Sequence, residues 1–293
     1  NVEDSTQLTV ECLRDIPPYI LTQLMQELKG FGNEPRVLFP PAVEMKNITD
    51  SFSSVDPWAH SSSTPWLTGI TADNGMDGSA IFMKGKENEE LLSELNDQFE
   101  GIAPLVLGFR ETAVNPQRIA RSIRKFYFGP NEIWNETMNE LTEMFTDANY
   151  LHCSEEAVRR HSGPTYKYYY NYLGSKTLFP STSGVRHFDE MFHLFPFPTL
   201  NKENTTVEEE LFGEIFLEFI TNFATVGNPT PKGSKIKWEP VTSAANEYLY
   251  IDNETQMMQK KLKSKRDKFW QNLEFRNKPK SLFRRPPEKN YEL

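Results

Sequence analysis

The sequence predicts an α/β fold, and three observations carry that expectation. A short apolar strand at residues 67–71 runs into a polar, glycine-containing loop, the usual place for functional loops on α/β sheets. The run Tyr-Lys-Tyr-Tyr-Tyr-Asn-Tyr-Leu at 166–173 alternates, so that Tyr166, Tyr168, Tyr170 and Tyr172 share one face of a strand. Around these strands lie stretches whose apolar residues recur at helical spacing.

Taken in order, residues 5–14 read as a short helix behind a Ser/Thr cap. Pro17-Pro18 opens a second helix, with Ile20, Leu21, Leu24 and Leu28 spaced for one buried face, ending near Gly30. The Ser/Pro-rich stretch 51–64 predicts a surface loop, which leaves His60 exposed. Beyond the first strand, 87–99 has helical spacing through Leu91, Leu92 and Leu95, and Pro116 opens a helix over 115–126. Residues 133–161 read as one long helix with Leu141, Met144, Phe145 and Leu151 on its apolar side. For the tyrosine row, a packed sheet face is the expectation rather than a ligand platform. Residues 207–226 predict an amphipathic helix with Leu211, Ile215, Phe216, Phe219, Ile220 and Phe223 inward, stopped by Gly227 and Pro229. A short strand at 248–251 and a basic helix over 257–273 follow, then a Pro- and Arg-containing tail from Lys278.

The chain has 293 residues, ample for a sizeable core. Aromatics are plentiful, at 21 Phe, 11 Tyr and 5 Trp, which suits a packed interior rather than a disordered chain. A net charge of −9 argues against nucleic acid as a partner, and the basic run 260–289 reads as a solvated helix face and frayed terminus. No stretch reaches the roughly 18 apolar residues of a transmembrane helix. There is no internal repeat, no metal-ligand spacing and no phosphate-cradling glycine loop, so neither metal nor cofactor is expected.

Chemistry concentrates in Gly184-Val185-Arg186-His187-Phe188-Asp189-Glu190-Met191-Phe192-His193-Leu194-Phe195. His187 sits on a glycine-led turn with carboxylates behind it, Glu190 among them as a support. Imidazole is the usual proton shuttle near neutral pH. A loop histidine alone is more often structural than catalytic, and this reading gains from Pro65-Trp66-Leu67-Thr68-Gly69-Ile70-Thr71-Ala72-Asp73-Asn74-Gly75 upstream.

Together these two stretches resemble the type-B carboxylesterase and cholinesterase family, in its insect-like branch. The family pattern after the first strand is Gly-x-Thr-x-x-Glu-Gly, with the glutamate as triad acid; the histidine pattern is Gly-Val-x-His-x-Asp-Glu-x-x-x-Leu-Phe. Phe39-Pro40-Pro41-Ala42-Val43-Glu44, the run Phe-Ile-Thr-Asn-Phe-Ala-Thr-Val-Gly-Asn-Pro-Thr-Pro at 219–231, and Trp238-Glu239-Pro240 agree with it as well. The resemblance covers nearly the whole chain. It implies an α/β-hydrolase fold, with residues 1–293 forming the C-terminal half of the sheet and its helical lid region. It also implies an ester hydrolase in which His187 is the general base.

Two departures qualify that implication. No Gly-x-Ser-x-Gly elbow occurs in the chain, so the serine nucleophile is expected on a preceding segment, with the N-terminal half of the same esterase as partner. Aligning Gly69 and Gly75 with the family glycines puts Asn74 at the triad-acid position. A carboxamide offers an oxygen to Nδ1 but no charge, and acid-to-Asn replacement in a serine protease costs about four orders of magnitude in turnover. Asp73 and Asp77 stand near as possible substitutes, and deamidation of Asn74-Gly75 would supply an Asp. The alternative function is a non-catalytic, secreted binding or adhesion protein. The ligand in either case is a small hydrophobic ester or acid. Asn-x-Ser/Thr acceptors at Asn47, Asn135, Asn204 and Asn253 point to an extracellular glycoprotein. The family cysteine near a C-terminal Phe-Trp has no counterpart here, so Cys12 and Cys153 are expected as unpaired thiols packed like small apolar groups; a bridge between them is the minor alternative.

Overall fold

Strand β1 (Trp66–Thr71) runs parallel to β2 (Thr165–Asn171), β2 parallel to β3 (Glu247–Asp252), and β3 antiparallel to β4 (Gln256–Lys260), in one four-stranded sheet of that order. The computed structural model describes residues 2–275 apart from 33, 36, 45–50, 57–58, 60–61, 83–85, 178–183 and 198–204. Asn47, His60, Asn204 and the tail from Lys278 lie outside the described residues. Parallel neighbours need long crossovers. Here the β1–β2 crossover is helical, and the β2–β3 crossover carries one long helix.

The chain opens with α1 (Val2–Arg14) and α2 (Pro18–Leu24), the latter running on as a 3-10 turn over Met25–Leu28. The face expected to be buried is not: Leu24 and Leu28 are exposed, as are Leu8 and Leu13 on α1. After β1 come α3 (Met76–Ser79), α4 (Lys86–Asp97) and α5 (Phe99–Val106), then α6 (Pro116–Tyr127). Asn115 caps α6 by accepting from Arg118 N–H at 2.9 Å, and Pro116 fills its first turn. Helix α5, with Pro104 inside it, was not among the elements expected from the sequence.

The long helix expected over 133–161 is instead three joined pieces. A 3-10 turn leads into α7 (Met138–Thr146), a π turn spans Asp147–Leu151, and α8 (His152–Arg160) completes the run. The interruption has a visible partner: Asp147, fully buried in the π turn, accepts from Tyr127 Oη at 2.5 Å and pairs with Arg266 at 2.9 Å. An inserted residue in a helix turns its side chains to new directions, and such insertions gather at functional sites.

Helix α9 (Met191–Leu194) and α10 (Val207–Val226) precede β3. Thr206 caps α10 by accepting from Glu209 N–H at 3.1 Å. Against the sheet α10 packs Phe212, Phe216 and Phe219 together with Trp238, and the tyrosine row faces them, as expected of a packed sheet face. Tyr172 stacks on Phe212 with centroids 3.8 Å apart. Leu211 and Ile215, expected inward, are exposed, and Phe212 takes the buried place. The helix is apolar on most sides, so its own pattern leaves the phase open, and the tyrosine row decides it. On the opposite sheet face Ile70, Tyr169 and Tyr248 meet Leu151 and Leu262.

The basic helix expected over 257–273 resolves into β4 and a shorter α11 (Ser264–Gln271). Asp252 Oδ1 accepts from Glu254 N–H at 2.9 Å and Thr255 N–H at 2.6 Å, which closes the β3–β4 hairpin and draws 256–260 into the ladder. Here pairing overrides the helix propensity of Gln-Met-Met-Gln-Lys. Cys12 and Cys153 are both free and exposed, so the buried thiols expected from the sequence are not observed, and no bridge joins them.

Candidate active site

Two loops leave the C-terminal ends of neighbouring parallel strands, and their backbone explains their shape. Ala72 N–H still bonds to Tyr170 O at 2.8 Å, after which the chain turns into α3 with Met76 N–H on Asp73 O at 2.8 Å. Asn74 is buried at the turn, and its Oδ1 accepts from Thr71 N–H at 3.1 Å and from the Thr71 hydroxyl. Gly75 follows because nothing larger fits: a Cβ there would stand 2.1 Å from Thr146 N and 2.4 Å from Thr142 O. That close approach lets Gly75 N–H donate to Thr146 Oγ1 at 2.8 Å, while Thr146 Oγ1 donates to Thr142 O at 2.8 Å. The acid loop is therefore seated directly on the end of α7.

The histidine loop docks on the first through Asp73. Its N–H donates to Val185 O at 2.9 Å, and its Oδ2 accepts from Val185 N–H at 2.9 Å. Arg186 is buried with Nε 3.0 Å from Met76 Sδ, and its N–H donates to Asp189 Oδ2 at 2.7 Å. His187 is exposed, and its ring lies on Tyr150 of the π turn, centroids 4.8 Å apart. Phe188 adopts φ of 82°, the left-handed region that a bulky residue enters at a cost of about 1–3 kcal/mol. Such strain persists where surrounding contacts fix the turn. Here Met191 N–H on Phe188 O at 3.0 Å starts α9 at once.

Burial sets the charges behind His187. Glu190 is buried and accepts from Tyr168 Oη at 3.3 Å; burial pushes its carboxyl up, the tyrosine bond opposing, and pushes Tyr168 up as well. Glu190 Oε2 has no hydrogen-bond partner. Burial likewise raises Asp73 and Asp189, each opposed by the backbone N–H it accepts.

The structure thus brings the loops of Asn74 and His187 together without a hydrogen bond between the two side chains among the described residues; Asn74 is turned to Thr71, His187 to Tyr150. Among the described residues Asp77 shows no hydrogen bond to the histidine loop, but its charge pushes Asp189 of that loop up. Thr146 and Tyr150 were not singled out from sequence. Their only signal was the invitation to close contact at Gly75, which does not say who approaches. No group of His, Cys, Asp and Glu among the described residues could hold a metal ion. Of the glycan acceptors, Asn135 is exposed at a helix start, and Asn253 is exposed but holds Leu173 by two bonds, Leu173 N–H to Oδ1 at 2.9 Å and Nδ2–H to Leu173 O at 3.0 Å.

Comparison with known proteins finds relatives of the chain as a whole. The model of the carboxylesterase family matches residues 1–270. A carboxylic ester hydrolase of Bombus ignitus is 27% identical over 293 residues, covering 92% of this chain and 50% of the relative. Venom carboxylesterase-6 of Apis mellifera is 27% identical over 246 residues, covering 77% of this chain and 43% of the relative. The crystal structure of juvenile hormone esterase from Manduca sexta, with OTFP covalently attached, superposes with a TM-score of 0.61 at 17% identity over 79% of this chain and 46% of that one. The chain spans about half the length of the curated relatives it matches. The fold is that of the α/β-hydrolases.

Proposed function

Because the chain belongs to the carboxylesterase family, we propose that it supplies the histidine half of an ester-hydrolysing site. His187 is the general base that takes the proton of a serine carried outside residues 1–293, and then returns it to the leaving alcohol. The observation that carries this reading is the placement of His187. It lies on a strained turn at the C-terminal end of the parallel strands, bonded through its loop to the loop of the acid position. The partner is the N-terminal half of the same esterase, and the substrate is a small hydrophobic ester. With Asn74 at the acid position, turnover is reduced relative to a glutamate. Secretion and glycosylation are part of the proposal: Asn135 is open to modification, and among the described residues no helix is long and apolar enough to cross a membrane.

A specific observation favours a second reading, in which the protein binds a hydrophobic ester or acid without turning it over. The Asn74 carboxamide oxygen is already committed to Thr71, so this side chain offers its acceptor to Thr71 rather than to an imidazole.

Assay of the whole protein with a p-nitrophenyl ester and an organophosphate label separates the two. The catalytic reading expects one labelled serine per molecule, measurable turnover, and loss of at least about a hundredfold in kcat in His187→Gln. Neither labelling nor turnover would sink it and leave the binding reading.

A further inference from the structure

Asn74 has been discussed as the residue in the acid's place, yet the carboxylate that touches the histidine loop is its neighbour. Asp73 closes a two-way bridge with Val185, N–H to O and N–H to Oδ2, both at 2.9 Å. Val185 and His187 are two residues apart, so their Cα atoms lie within about 7 Å of one another. Gly184 makes the approach possible. Its φ is +122°, and a Cβ there would fall 2.9 Å from Asp73 Oδ2 and 2.6 Å from Met76 Cε. The bridge is thus built into both loops: a glycine on one and an acid on the other.

We infer that Asp73 is the positioning residue for His187, fixing the histidine loop, and with it the seat of the ring against Tyr150, through its bridge to Val185. The groups whose charge reaches Asp73 are Lys263 and Arg266 by α11, Glu143 on α7 and Tyr169 on β2. Asp189 and Glu190 belong to the histidine's own loop. Asp73 remains half-buried, and the Val185 N–H it accepts favours its ionised form against burial. This inference rests on the reading of His187 as proton acceptor, but its first test does not depend on turnover.

That test reads the contact between the His187 and Tyr150 rings by NMR in the whole protein, with the His187 resonance assigned from His187→Gln. Asp73→Ala, which removes the acceptor of Val185 N–H, is expected to abolish the cross-peaks between the two rings, and Asp73→Asn, which keeps an oxygen there, to restore most of them. Unchanged cross-peaks in Asp73→Ala overturn the inference. A measurement without substitution guards against a misfolded variant: the Val185 amide proton should move with a carboxylate titration, and a flat profile from about pH 3 to 7 overturns the inference. In a protein that hydrolyses esters, Asp73→Ala should lower kcat about tenfold or more at unchanged KM; unchanged kcat overturns it. Absence of ester hydrolysis in the unsubstituted protein sinks the catalytic reading alone, since the two resonance measurements still judge Asp73.

Discussion

Two buried titratable residues pull stability in opposite directions with pH. Burial pushes Asp147 up to about 7, against the opposing pull of Arg266 and the Tyr127 hydroxyl. Its protonated form is favoured on folding, so the stability it contributes is fully present below about pH 4 and lost as pH rises through about 7. His193 is the mirror case. It is buried against Tyr172 and Phe212, 4.0 Å from Glu209, and burial brings it down to about 4, with Glu209 opposing. Its neutral form is favoured on folding, so its contribution is present above about pH 6.5 and lost as pH falls through about 4. Each effect is roughly 3–4 kcal/mol at most. Urea midpoints between pH 4 and 7 should therefore rise more steeply with pH in Asp147→Asn than in the unsubstituted protein, and fall more steeply with pH in His193→Phe. Parallel profiles for all three would show that neither residue titrates in this range. At this scale the loop of His187 stood out because its glycine-led turn and following carboxylates lie together in sequence and resemble a family pattern; its catalytic role is the proposal made above. Asp147 was not, since its burial depends on Tyr127 and Arg266 from distant helices.

Single elements hold the candidate site by few contacts, and these can be removed one at a time. Thr146→Val keeps the volume at the end of α7 but leaves Gly75 N–H without its acceptor, which should cost about 1–3 kcal/mol in urea unfolding. Phe216→Ala opens the centre of the α10–sheet interface and should cost about 3–5 kcal/mol. Near-equal losses would mean that the acid loop is held as firmly as the core. What the sequence made legible in the elements follows the range of their causes. The β2 alternation and the opening of α6 at Pro116 are local, and their residues announce them. The phase of α10 is not: Leu211 and Phe212 are equally apolar, and only the tyrosine row chooses. β4 is not either, because the Asp252 turn and its pairing with β3 outweigh the helix-forming character of residues 256–260.

Across the whole molecule, hydrophobic surface is unevenly covered. One edge of β1 pairs with β2, and among the described residues the other edge has no partner. On α1 and α2, Leu8, Leu13, Leu24 and Leu28 are exposed. An open parallel edge is a template for association, and we take the proposed N-terminal half as its occupant. Co-expression with that half should give a stable complex in sedimentation velocity and slow amide exchange along β1. A solitary chain that stays monomeric, with cooperative unfolding, would refute this. The trace of this open edge in the residues is the absent Gly-x-Ser-x-Gly elbow, because an unpaired edge is a property of the assembled sheet.

The β1–β2 pairing also has a consequence in time. Trp66 is bonded in register with Thr165, so on the ribosome the first strand must wait for roughly a hundred further residues, about 5–20 s at ordinary elongation rates, before its neighbour emerges. Throughout that interval Trp-Leu-Thr-Gly-Ile-Thr is a sticky apolar segment without its β2 neighbour. The growing polypeptide is therefore expected to need chaperone shielding during translation, at a stage when its helical crossover has already been made.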